Sequence, residues 1–145
     1  MRLYIAGKMK GMPRFNFPAF MDAANRLRVA GYQVHNPAEA DILRDGFNPD
    51  RDVPRPLSYY TPQNERAIRN CDGIALLPGW ETSDGTGLEI RIAFQAGMPV
   101  LTVGNWLSKI RHCDTTVIQH GQDKPATGKA NRGNCRLTRK TKENL

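Results

Sequence analysis

Residues 71–98 read Cys71-Asp72-Gly73-Ile74-Ala75-Leu76-Leu77-Pro78-Gly79-Trp80-Glu81-Thr82-Ser83-Asp84-Gly85-Thr86-Gly87-Leu88-Glu89-Ile90-Arg91-Ile92-Ala93-Phe94-Gln95-Ala96-Gly97-Met98. The run Gly73-Ile74-Ala75-Leu76-Leu77 is continuously apolar between Asp72 and Pro78, the pattern of a strand buried on both faces of a parallel sheet. A polar, glycine-rich segment follows, and then Leu88, Ile92, Ala93 and Ala96 recur at helical spacing until Gly97 and Pro99 stop the helix. In an open parallel sheet, ligands sit beyond the carboxyl ends of the strands, so the loop of residues 80–87 is where a small molecule is expected. Glu89 falls in the predicted first turn of the helix, after two glycines that let a ligand approach the backbone. It is either a carboxylate facing that site or an acid that favours the helix dipole.

Working outward, Arg2-Leu3-Tyr4-Ile5-Ala6 reads as a first strand. It ends at Gly7-Lys8-Met9-Lys10-Gly11, a glycine-bracketed turn whose N–H groups and two lysines suit a phosphate-sized anion. The turn is neither a Walker sequence nor a G-x-G-x-x-G fingerprint. A helix from Asn16 or Pro18 to Gly31 buries Phe20, Ala23, Ala24, Leu27 and Ala30. Tyr32-Gln33-Val34-His35 is a second strand leading to Asn36, Pro37 and Glu39, which completes a right-handed βαβ unit. Residues 40–62 read as a long loop. Thr61 and Pro62 have the residue types of a helix cap and first turn, and that helix runs to Cys71. Residues 100–103 make a fourth strand and residues 115–119 a fifth.

One domain of residues 1–120 followed by a basic tail of residues 121–145 fits the length of 145. The net charge of +7 is unevenly distributed: residues 1–107 carry 12 basic and 11 acidic side chains, and residues 108–145 carry 9 and 3. Any attraction for nucleic acid therefore belongs to the tail. No apolar run approaches the roughly 18 residues of a membrane span, and Met1-Arg2-Leu3-Tyr4-Ile5-Ala6-Gly7 is interrupted too soon for a signal peptide. Three cysteines without close pairs fit a reducing cytoplasm. His112, Cys113, His120 and Cys135 match no common zinc spacing.

Tyr4-Ile5-Ala6-Gly7, a helix closing on Cys71-Asp72, and Ser83-x-Gly85-x-Gly87-x-Glu89 together resemble the nucleoside 2-deoxyribosyltransferase superfamily, over about residues 1–107. The likeness implies a flavodoxin-like (Rossmann-like) parallel sheet of four to five strands with helices on both faces. It implies that Glu89 attacks C1′ of a nucleoside, displaces the base and leaves a glycosyl-enzyme, with Tyr4 orienting the carboxylate. No metal or cofactor enters this chemistry.

Transferases acting on free nucleosides have an aspartate at the position of Ser83. A serine there, together with a turn resembling G-S-I-R-G, points instead to the 2′-deoxynucleoside 5′-phosphate N-hydrolase branch. In that branch the phosphate would lie among Gly7, Lys8, Met9, Lys10, Gly11 and Ser83, with Gly85 and Gly87 giving backbone access. Phe15, Phe17, Trp80, Tyr59 and Tyr60 are candidates to stack on the base, and Asn36 and Glu39 to line the sugar pocket. Asn64 stands where the family has the aspartate that protonates the leaving base, so either Glu65 or a solvent proton substitutes, or the substrate has a good leaving base, or the protein binds more than it turns over. Asp72 reads as structural. The likeness also implies a homodimer or larger assembly.

Overall fold

The computed structural model describes residues 1–118, with side chains to residue 110. The basic tail and the side chains of His112, Cys113, His120 and Cys135 lie outside these described residues. The order of elements is β1 (Arg2–Ala6), α1 (Phe17–Val29), β2 (Gln33–His35), α2 (Pro37–Asp45), α3 (Leu57–Arg69), β3 (Gly73–Leu76), α4 (Asp84–Gln95), β4 (Val100–Thr102) and α5 (Val103–Ile118). The four strands form one all-parallel sheet in the order β2-β1-β3-β4. This is the flavodoxin-like arrangement, with helices on both faces.

Strand alternation sorts the core. Leu3 and Ile5 of β1 face α1 and α5, where they pack with Phe20, Leu27 and Trp106. Tyr4 and Ala6 face α3 and α4, where they pack with Ile68, Ile74 and Ala93. All four residues of β3 are buried, which explains the unbroken apolar run. Gly73 is required in this strand because a Cβ there would stand 2.9 Å from the Trp106 ring and 3.0 Å from the Pro99 carbonyl oxygen.

The chain direction reverses its lateral progress between β1 and β3, which pair in register from Leu3↔Gly73 to Ala6↔Leu76. The loops leaving these two strands therefore diverge and open the crevice in which such sheets bind ligands. Gly7 lets the two loops start close together, since its Cβ would sit 2.8 Å from Leu77 Cβ. Asp72 lies at the opposite end of the strands, where its backbone N–H and carboxylate bond the backbone of Arg2 at 2.7 and 2.6 Å. Its role is structural.

Five sequence expectations are corrected. Residues 40–62 are not one loop: α2 occupies Pro37–Asp45 and α3 begins at Leu57. Pro62 is thus inside α3, and Thr61 does not cap it; the Thr61 hydroxyl donates to the Leu57 carbonyl one turn back at 2.9 Å. There is no fifth strand at residues 115–118, which belong to α5, and Val103 begins that helix rather than ending β4. Helix α4 starts at Asp84 with Ser83 as its cap, so Glu89 stands in the second turn rather than the first. That distance from the terminus removes most of the helix-dipole explanation for Glu89. Among the described residues no helix is long and apolar enough to cross a membrane.

Candidate active site

A cavity of about 620 Å³ opens at the carboxyl ends of β1 and β3, within the size range of small-molecule sites. One end is built from the turn after β1 (Gly7, Lys8, Met9, Lys10) and the start of α4 (Ser83, Asp84, Gly85, Thr86). Phe15, Phe17 and Phe47 give it an aromatic wall, while Tyr60 and Asn64 of α3 and Asp41 of α2 complete the sides. Glu89 also lines it.

Glu89 is held by two donors on one oxygen. The Tyr4 hydroxyl donates to Oε1 at 2.7 Å, and Asn64 Nδ2 donates to the same atom at 3.1 Å. Among the described residues no donor reaches Oε2, which leaves one carboxylate oxygen oriented and unengaged. Tyr4 can do this because β1 places it on the α3/α4 side of the sheet, fully buried and stacked 5.4 Å from the His35 ring. Burial pushes the Glu89 carboxyl up to about 7, against the pull of the Tyr4 and Asn64 hydrogen bonds. Burial and the neighbouring carboxylate hold the Tyr4 phenol well above its usual range, so it remains a hydrogen-bond donor.

Ser83 accepts from the Thr86 N–H at 3.3 Å as the cap of α4, and its own hydroxyl hydrogen stays available for an acceptor in the cavity. The charges lining the cavity are mixed: Lys8, Lys10 and Arg55 against Asp41, Asp84 and Glu89. Any attraction for an anion therefore rests on where the lysines and the helix terminus sit, not on net charge.

The structure brings Glu89, Tyr4 and Asn64 together through hydrogen bonds and places Gly7, Lys8, Met9, Lys10, Ser83 and Gly85 on the cavity wall. Gly11, Gly87, Trp80 and Asn36 are not among the cavity-lining residues. Trp80 packs against the Tyr4 cluster instead. Asn36 is buried and caps α2, accepting from Ala38 N–H at 3.0 Å while its Nδ2 donates to the Phe20 carbonyl at 3.4 Å. Glu39 pairs with Arg28, and Glu65 with Arg69, so neither carboxylate lines the cavity.

Sequence reasoning passed over Asp41 and Phe47, because their segment was read as a long loop with no steady period. The strained turn before α1 was also not foreseen: Arg14, Phe15 and Asn16 are consecutive non-glycine residues at φ of 50°, 50° and 61°. Such residues cost on the order of 1–3 kcal/mol each. The turn is held by Asn16 Nδ2 donating to the Lys8 carbonyl at 2.9 Å and by a two-pronged Arg14–Asp50 ion pair. It sets Phe15 against Phe47 with ring centroids 5.6 Å apart.

Removing the Tyr4 hydroxyl tests the electrostatics of the site. The ionised form of Glu89 loses a donor in Tyr4→Phe, so its pKa rises beyond about 7. We expect titration of Glu89, followed by NMR of the carboxyl carbon, to shift to higher pH by about one unit, and any Glu89-dependent activity to shift with it.

A four-stranded parallel α/β sheet with a half-buried, two-donor glutamate beside its topological switch point places the chain in the flavodoxin-like fold class. Within that class the chain belongs to the family described as DUF4406, a domain of unknown function, whose model matches residues 1–102. That stretch carries all four strands, the cavity and Glu89. No curated protein and no solved structure matches the chain.

Proposed function

We propose that this protein cleaves the N-glycosidic bond of nucleoside 5′-monophosphates through a glycosyl-Glu89 intermediate, as the likeness to the nucleoside 2-deoxyribosyltransferase superfamily implies. The observation that carries the reading is the Glu89 carboxylate at the cavity wall, with Oε1 fixed by Tyr4 and Asn64 and Oε2 unengaged. Oε2 attacks C1′, the C1′–N bond breaks with its electron pair going to the base, and water later cleaves the glycosyl ester. A second base in place of water would make the same intermediate a transferase. The phosphate lies among Lys8, Lys10 and Ser83 at the start of α4. A homodimer or larger assembly belongs to the same reading.

Asn64 favours a second reading, nucleotide binding with little turnover. Its amide holds Glu89 but carries no proton to give at neutral pH, and general acid catalysis contributes roughly 10²–10⁴ in rate. A panel of nucleosides and their 5′-monophosphates, assayed for free base, separates the two. The enzymatic reading predicts base release from monophosphates and not from nucleosides, and a rise of roughly tenfold or more in Asn64→Asp. Tight binding with no base release in either protein selects the binding reading.

A further inference from the structure

We propose that Asp41 reads the base, and that the cavity selects a base edge with two adjacent N–H donors, which among the common nucleobases is the N1–H and 2-amino edge of guanine. The inference rests on the nucleotide reading above and names its substrate class.

Sheet order fixes the direction in which a nucleotide lies. Strands β2 and β3 flank β1, so their carboxyl ends stand about 10 Å apart. Ser83 and the start of α4 follow β3, Glu89 is bonded to Tyr4 of β1, and α2 with Asp41 follows β2. A phosphate held on the β3 side with C1′ at Glu89 therefore directs the base toward α2. There Phe15, Phe17 and Phe47 offer ring faces for stacking, and Asp41 offers an edge partner.

Asp41 is placed to accept. Its Oδ1 takes one bond from Arg44 Nη2 at 2.8 Å, and among the described residues no donor reaches Oδ2. Arg44 is shared with Asp45, at 2.9 Å from the same nitrogen. Burial outweighs Arg44 and holds the Asp41 carboxyl above its usual range, which is an unmet demand for donors. Its charge also opposes ionisation of both the Tyr4 and Tyr60 phenols, which puts it within electrostatic reach of the group that holds Glu89.

A carboxylate accepts on both oxygens and donates on neither. Guanine matches it with two N–H groups side by side. Adenine and cytosine present an amino group beside a ring-nitrogen lone pair, and uracil and thymine present one N–H between two carbonyls. Each of these turns a lone pair toward a carboxylate oxygen.

The test is calorimetric titration of full-length Glu89→Gln, which keeps the site without turnover, with the guanosine, inosine, adenosine, cytidine and uridine 5′-monophosphates. We expect guanosine monophosphate to bind about ten- to hundredfold more tightly than the adenosine, cytidine and uridine compounds. The inosine compound, with one of the two N–H groups, falls between. Adding Asp41→Asn, whose amide sets a donor beside an acceptor, erases the guanine preference and favours adenine and cytosine. Equal binding of all five, preference for another base in the Glu89→Gln parent, or a guanine preference unchanged in a folded Asp41→Asn protein overturns the assignment to Asp41 while leaving the nucleotide reading intact. Binding of none overturns both. If Asp41→Asn lowers the melting temperature too far to assay, the ranking in the parent decides.

Discussion

Glu89→Gln is expected to make the protein more stable at pH 8 and no more stable at pH 4, while removing base release. The sign follows from the two states. The Glu89 carboxyl titrates at about 7 when folded, against an ordinary value of 4.5. Below 4.5 both states are protonated and burial costs nothing through this group. Between 4.5 and 7 the unfolded chain ionises first, so stability falls as pH rises, by about 1.4 kcal/mol per unit. Above 7 the loss levels off at on the order of 3 kcal/mol.

Glutamine avoids that loss and keeps the geometry, because Tyr4 and Asn64 both donate to Oε1, which an amide oxygen replaces. What it lacks is a nucleophilic oxygen at the Oε2 position, and loss of a covalent nucleophile costs on the order of 10⁴–10⁶ in rate. Urea unfolding at the two pH values, beside a base-release assay, reads both effects. A group that stabilised the fold would show the opposite sign at pH 8.

The second large effect is structural. Trp106 is 1% exposed at the base of the α1/α5 side, and its Nε1 donates to the Ile74 carbonyl of β3 at 2.8 Å. The Tyr32 hydroxyl donates back to the Trp106 carbonyl at 3.0 Å, and the two rings meet edge to face. Trp106→Ala removes a buried indole, about 3–5 kcal/mol, and with it the Nε1 hydrogen bond to the Ile74 carbonyl, about 0.5–1.5 kcal/mol more. Against a typical domain stability of 5–15 kcal/mol, the variant stands at the edge of unfolding at room temperature. Trp106→Phe restores most of the packing and leaves mainly the lost hydrogen bond. The urea midpoints should therefore fall in the order wild type, Trp106→Phe, Trp106→Ala.

The strands buried on both faces were legible because burial there leaves no choice but an unbroken apolar run, as in Gly73-Ile74-Ala75-Leu76. Helix α1 was legible because its buried Phe20, Ala23, Ala24 and Leu27 recur at helical spacing. Helix α2 was not, because only Pro37 and Ala38 are buried and the rest of its face is held by Arg28, Arg44 and their carboxylates. The start of α3 was hidden by Thr61-Pro62, whose residue types suit a cap and first turn but which lie a full turn inside the helix.

The same asymmetry governs the site. Ser83 and the lysine turn sit on short, punctuated stretches after β3 and β1, where glycines and a cap mark the chain; Tyr4 lies within β1 and Glu89 in the second turn of α4. Asp41 and Phe47 reach the cavity only through tertiary packing of a polar segment, and no local pattern announces that. Trp106 joins α5 to β3 across 32 residues, a contact that periodicity does not encode.

The most direct measurement is acid quenching of the wild-type protein during turnover of a nucleoside 5′-monophosphate, followed by proteolysis and mass spectrometry of the peptide containing Glu89. The account predicts a sugar phosphate esterified to Glu89, appearing with the free base and absent in Glu89→Gln. Base release at an undiminished rate in Glu89→Gln, with no sugar-bearing peptide in the wild type, would contradict it.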